Sequence, residues 1–100
     1  MSKHVLTELS AKVDPAREDE LIAGFQNLPP FPDGLLRSEL LRGGNGTWRI
    51  QAWWRDRATL DAMFAGAEPH AATELFRGLG AEPLLQILEV AADRESVSES

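Results

Sequence analysis

Apart from His4 near the start, the chain carries one imidazole, His70. An imidazole titrates near neutral pH, so His70 could take a proton from a weak acid such as a phenol. The competing reading is a solvent-exposed residue in the first helical turn after Pro69. Arg49 and Gln51 lie two apart in a β-like run, so their side chains share one side of a strand. A cation and an amide there could hold a phenolate, a quinone oxygen or a peroxide. Equally, Arg49 could close an ion pair across the sheet, for instance with Glu8. Buried without an anion it would cost several kcal/mol.

Other chemistries find no residues. There are no cysteines, which excludes disulfides, thiolate zinc sites and a cysteine nucleophile. Two distant histidines with no His-x3-His spacing form no metal-ligand set. Gly43-Gly44-Asn45-Gly46 joins two strands, whereas a phosphate cradle needs a helix to follow it. No Gly-x-Ser-x-Gly elbow is present.

These residues need a scaffold, and the stretch Leu35–Phe64 describes most of it. Leu35–Arg42 and Thr47–Trp54 read as two strands flanking the glycine-rich turn. Asp56 then caps a helix over Arg57–Ala65, with Leu60, Met63 and Phe64 on one stripe. Upstream, Val5–Val13 alternates as a strand, and Asp14-Pro15 opens a helix expected over Arg17–Leu28. Its acidic Glu18, Asp19 and Glu20 suit the positive end of the helix dipole. Pro29-Pro30-Phe31-Pro32 cannot continue a helix, and Phe31 is a candidate lid over a cavity mouth. Downstream, Gly66-Ala67-Glu68-Pro69 breaks the chain, a helix is expected over His70–Leu79, and Leu84–Ala91 reads as the last strand. The sum is βαββαβ, an α+β, ferredoxin-like antiparallel sheet with helices on one face.

With a two-residue tip at Gly44-Asn45, Arg42 would face Thr47, Leu40 Arg49, Ser38 Gln51 and Leu36 Trp53. Trp48, Ile50, Ala52 and Trp54 make the better core face. The open face would then hold Arg49, Gln51, Trp53, Ser38 and Leu36, with Glu8 and Ser10 from the first strand. A slip of one residue inverts such an assignment. Trp48, Phe25, Phe64 and Phe76 read as core.

In bulk, the 100 residues make one domain, 1–92, with a polar tail at 93–100. At 43% hydrophobic and 26% charged, the composition is that of a soluble globular protein. A net charge of -6 with scattered Lys and Arg argues against nucleic acid and anionic membrane as partners. No signal peptide is visible and no apolar run nears the roughly 18 residues of a membrane span, so cytoplasm is expected.

In its order of elements the chain resembles the antibiotic-biosynthesis monooxygenase family of dimeric α+β barrels, over about residues 5 to 91. The likeness rests on Asp33-Gly34 before the second strand and Trp54 closing the third. It also rests on the Asp56 cap with Leu60, on Glu68-Pro69-His70, and on Glu89 in the last strand. It implies a homodimer pairing its sheets face to face around a cavity for a small aromatic or hydrophobic ligand. The activity implied is oxidation of polycyclic phenols or quinols by O₂ with no metal or flavin cofactor. His70 and Arg49 would then be catalytic, with Trp53, Gln51, Ser38, Glu8, Ser10 and Leu36 binding substrate. Ala52 stands where members often carry Glu, and Met63 where a histidine is common. Those replacements favour an alternative, a barrel that binds or isomerises a small hydrophobic molecule without oxygen chemistry; a purely structural module is a further alternative. The haem-degrading branch is less similar, since its strand-one Asn has no counterpart in Val5–Val13.

Overall fold

The computed structural model describes residues 4–66 and 70–94. The expected Gly66–Pro69 break lies largely outside them, as does most of the 93–100 tail.

Four strands, β1 (Val5–Lys12), β2 (Leu35–Arg42), β3 (Thr47–Trp54) and β4 (Leu84–Glu89), form one antiparallel sheet in the order β2-β3-β1-β4. Three helices, α1 (Glu18–Gln26), α2 (Arg57–Ala65) and α3 (Ala71–Gly78), complete the ferredoxin-like arrangement. Alternation and capping account for most boundaries. β2, β3 and α2 begin and end where the pattern places them, and Asp56 accepts the Thr59 amide at 2.7 Å as the α2 cap. Pro15–Arg17 instead forms a single 3-10 turn, capped by Asp14, before α1 begins. α1 stops at Gln26, two residues earlier than expected, and the Asn27 side chain donates back to the Ala23 carbonyl at 2.8 Å.

The helices cover one face of the sheet. Trp48, Ile50, Ala52 and Trp54 are buried there, with Val5, Thr7 and Ala11 of β1 beside them. The core falls into two clusters. One gathers Ala11, Val13, Leu21, Trp48, Ile50 and Phe76 under α1 and α3. The other gathers Val5, Ala52, Trp54 and Leu60 under α2. β4 is exposed along its whole length.

The register of β2 differs from expectation by one residue. Gly43 N–H donates to the Thr47 carbonyl at 2.8 Å, and Asn45 and Gly46 both adopt positive φ (58° and 74°). The loop is therefore the three residues Gly44-Asn45-Gly46, a common alternative to the two-residue turn. Arg42 pairs with Trp48, Leu40 with Ile50 and Ser38 with Ala52. Ser38 consequently lies on the helix side, while Arg37, Glu39 and Leu41 occupy the open side. A register shift between Leu35 and Arg37 puts Arg37 opposite Trp53 and leaves Leu36 unpaired and exposed.

Candidate active site

Between sheet and helices lies a cavity of about 760 Å³. Its floor is the helix-side face: Thr7 and Leu9 from β1, Ile50, Ala52 and Trp54 from β3, Ser38 from β2 and Leu85 from β4. One wall is the end of α1 with the Leu28–Pro32 segment, and the other is Met63 and Phe64 of α2 with His70–Thr73. Most of these groups are apolar. Among the described residues His70 is the only titratable side chain in the lining.

His70 is half-buried at the start of α3, where its carbonyl accepts the Glu74 amide at 3.0 Å. Its ring meets Phe64 edge to face, with centroids 5.0 Å apart and planes at 85°, so packing fixes its place at the wall. α2, which carries Met63 and Phe64, is anchored by Asp56. The hydroxyl and backbone amide of Thr59 both donate to the Asp56 carboxylate and hold it below the ordinary aspartate range.

On the floor, Thr7 is buried and accepts a hydrogen bond from the Trp54 indole at 3.1 Å. Thr7, Ala52 and Ser38 stand side by side across three adjacent strands. The row has a small side chain flanked by two hydroxyls.

The residues expected to form one site are divided between two surfaces. His70 and Ser38 line the cavity. Arg49, Gln51, Trp53, Glu8 and Ser10 project from the opposite, open face, and Leu36 sits at the shift near the start of β2. On that open face Arg49 Nε meets Glu8 Oε1 at 2.7 Å, the cross-sheet pairing that stood as its alternative reading. Arg37 lies 5.8 Å from the Trp53 ring and pairs with Glu39 at 2.6 Å. Apolar Leu41, Leu84 and Leu88 are exposed on the same face. Phe31, the candidate lid, lines the cavity and is 57% exposed. Phe25 and Phe64, expected as core, are only partly buried and also face the cavity.

Sequence reasoning missed Thr7, Met63 and the prolines around Phe31 as lining residues. For Thr7 a signal existed: it is the one polar residue on the apolar parity of β1, among Val5, Leu9, Ala11 and Val13. Among the described residues no group of three or more His, Cys, Asp or Glu is placed to hold a metal, and no helix is long and apolar enough to cross a membrane.

This is the fold of the antibiotic biosynthesis monooxygenases. The chain is similar to SnoaB, a cofactor-independent oxygenase from Streptomyces nogalater, with a TM-score of 0.59, 19% identity, and coverage of 98% of this chain and 100% of that one. It is similar to the heme-degrading protein Rv3592 from Mycobacterium tuberculosis (TM-score 0.61, 23% identity, 96% and 100% covered). A provisionally assigned antibiotic biosynthesis monooxygenase from Chloroflexus aurantiacus gives a TM-score of 0.63 at 13% identity, with 92% and 97% covered. Proteins of unknown function share the fold as well. No protein-family model and no curated protein matches the sequence. At these identities the likeness is one of fold, and fold alone does not assign a reaction.

Proposed function

We propose that the protein is a cofactor-independent monooxygenase that oxidises a phenolic or quinol-type aromatic molecule with O₂ in the cavity beneath its helices. The observation that carries this reading is an apolar cavity of about 760 Å³ with one imidazole in its described wall. Its volume lies within the roughly 300–1,000 Å³ range of small-molecule sites. In this reading His70 removes the proton from the bound ring system, and the resulting carbanion reduces O₂. A carbon–oxygen bond forms as a peroxide, which loses water to leave a carbonyl. One oxygen atom ends on the substrate, and the other leaves as water with the two hydrogens the substrate gives up. The apolar walls raise the energy of the carbanion relative to water, so the reaction relies on the substrate's own delocalisation and on donors at the floor.

The protein would act as a homodimer in the cytoplasm. The dimer is supported by the open face, which no described helix covers and on which Trp53, Leu41, Leu84 and Leu88 are gathered. In that arrangement Arg49, Gln51, Glu8 and Ser10 belong to the interface or to a second hollow there. A non-oxidative binder is the second reading. It is favoured by the absence, among the described residues, of any hydrogen-bond partner that would orient His70 as a base.

Oxygen uptake with anthrone and simple hydroquinones separates the two. The oxygenase reading expects turnover by the folded protein and a fall of roughly 10²–10⁴ in His70→Gln. Uptake at background, or equal uptake by the variant, refutes His70 as the base. Background uptake together with saturable binding favours the binder.

A further inference from the structure

Thr7 occupies an unusual position. The residue is 8% exposed, it is the one polar or charged residue among the buried ones in the described part of the chain, and it borders the cavity. A threonine hydroxyl has one proton to donate and two lone pairs to accept with. The Trp54 indole, which can only donate, occupies one lone pair at 3.1 Å. Thr7 makes no hydrogen bond as a donor to any protein acceptor among the described residues. A buried donor left without an acceptor is unfavourable, so the acceptor must come from the cavity.

We infer that the Thr7 hydroxyl, oriented by the Trp54 indole, is a specificity-determining donor that selects ligands carrying a carbonyl or phenolate oxygen over hydrocarbons of the same shape. The inference rests on the reading of this cavity as the ligand site. Because the indole occupies a lone pair, the hydroxyl can rotate only among the remaining directions. A hydrogen bond it receives also polarises the one it gives. Ala52, directly opposite Thr7 on β3, leaves room for a flat molecule to lie against the floor. No other floor residue of β1 or β3 that lines the cavity offers a hydroxyl.

The test compares 9-fluorenone with fluorene, which differ by one carbonyl oxygen, binding to the full chain and to Thr7→Val. Partition into apolar surroundings cancels when the preference of the variant is divided by that of the parent. The expected result is a fluorenone preference about fivefold weaker in the variant, the loss of one neutral hydrogen bond, with fluorene affinity within twofold. In the parent the bound carbonyl stretch falls to lower wavenumber, and in Thr7→Val it does not. An unchanged preference and an unchanged stretch overturn the inference while leaving the cavity a ligand site. If neither compound binds, both the inference and the ligand-site reading fall. Thr7→Val also strips Trp54 of its acceptor and lowers thermal stability. Should it fail to fold, Thr7→Ser and Thr7→Ala decide, since both lose the methyl and only Ser keeps the hydroxyl. Ser must retain the preference and Ala must lose it.

Discussion

Gly34 closes the proline segment and starts the path into β2, and its replacement by alanine has a cost that follows from geometry. Its φ is +86°, in the left-handed region, where a non-glycine residue costs about 1–2 kcal/mol. A Cβ built there would lie 1.8 Å from Thr59 Cγ2 and 2.7 Å from Thr59 Cβ, against a normal carbon–carbon contact of roughly 3.5–4.0 Å. Thr59 cannot simply turn away. Its hydroxyl and amide are both committed to Asp56, and the hydroxyl also accepts from Arg55 at 3.2 Å. Overpacking of this kind costs about 1–3 kcal/mol, so Gly34→Ala should lose about 2–5 kcal/mol in all. That is a large share of the roughly 5–15 kcal/mol typical of a domain. Urea unfolding followed by tryptophan fluorescence measures it, with an unchanged slope expected. Thr59→Ala removes the Cγ2 contact, so in the double variant the clash component should shrink while the φ component stays. A loss below about 0.5 kcal/mol, or strict additivity of the two changes, would refute the reasoning. Because Gly34 also accepts the Arg55 amide at 2.8 Å, the same variant should loosen the Pro29–Pro32 wall and weaken ligand binding.

The Asp56 cap gives a pH dependence. Thr59 holds this carboxylate below its ordinary value, and Arg17 and Arg77 do the same for Glu20 and Glu82. Their stabilisation is fully present above the ordinary carboxylate range near pH 4 and is lost as pH falls through the lowered folded values. Asp56→Ala should therefore melt below the parent at pH 7, and the gap should close below about pH 4; a gap that widens in acid would contradict the capping role. If the open face pairs two copies as proposed, Trp53→Glu should yield a folded single protomer with far-UV circular dichroism unchanged, because Trp53 lies outside both core clusters. A parent that already sediments as a single protomer at micromolar concentration removes the dimer.

How much of this was legible depended on whether the cause was local. β3 alternates cleanly and Asp56 lies at a fixed offset from Thr59 and Leu60, so their elements could be read from neighbours in the chain. The β2 register could not, because two-residue and three-residue turns compete within Gly43-Gly44-Asn45-Gly46. Only the backbone signs of Asn45 and Gly46 together decide between them. That single residue moved Ser38 to the helix side and Arg37 to the open side. His70 was legible as a chemical candidate by its scarcity. Its partnership with Phe64 and Thr7's with Trp54 depend on contacts across 6 and 47 positions, which no local pattern encodes.

The position of the cavity follows from the division of the core. α1 and α3 meet closely, with Gly24 so near Leu75 that a Cβ would stand 2.4 Å from Leu75 Cδ1. α2 packs separately on Val5, Ala52 and Trp54. Between the two packings the floor carries small or polar side chains at Thr7, Ala52 and Ser38, which cannot fill the gap. The hollow is partly open to solvent and so accessible to water or ligand, and the exposed Phe31 on the proline wall lines it. Apolar walls hold water poorly, whereas a flat hydrophobic molecule with an acceptor oxygen would replace that water and meet the free proton of Thr7. On this argument occupancy and stability are linked: a ligand that binds should raise the melting temperature, and filling the floor should stabilise the protein at the expense of binding.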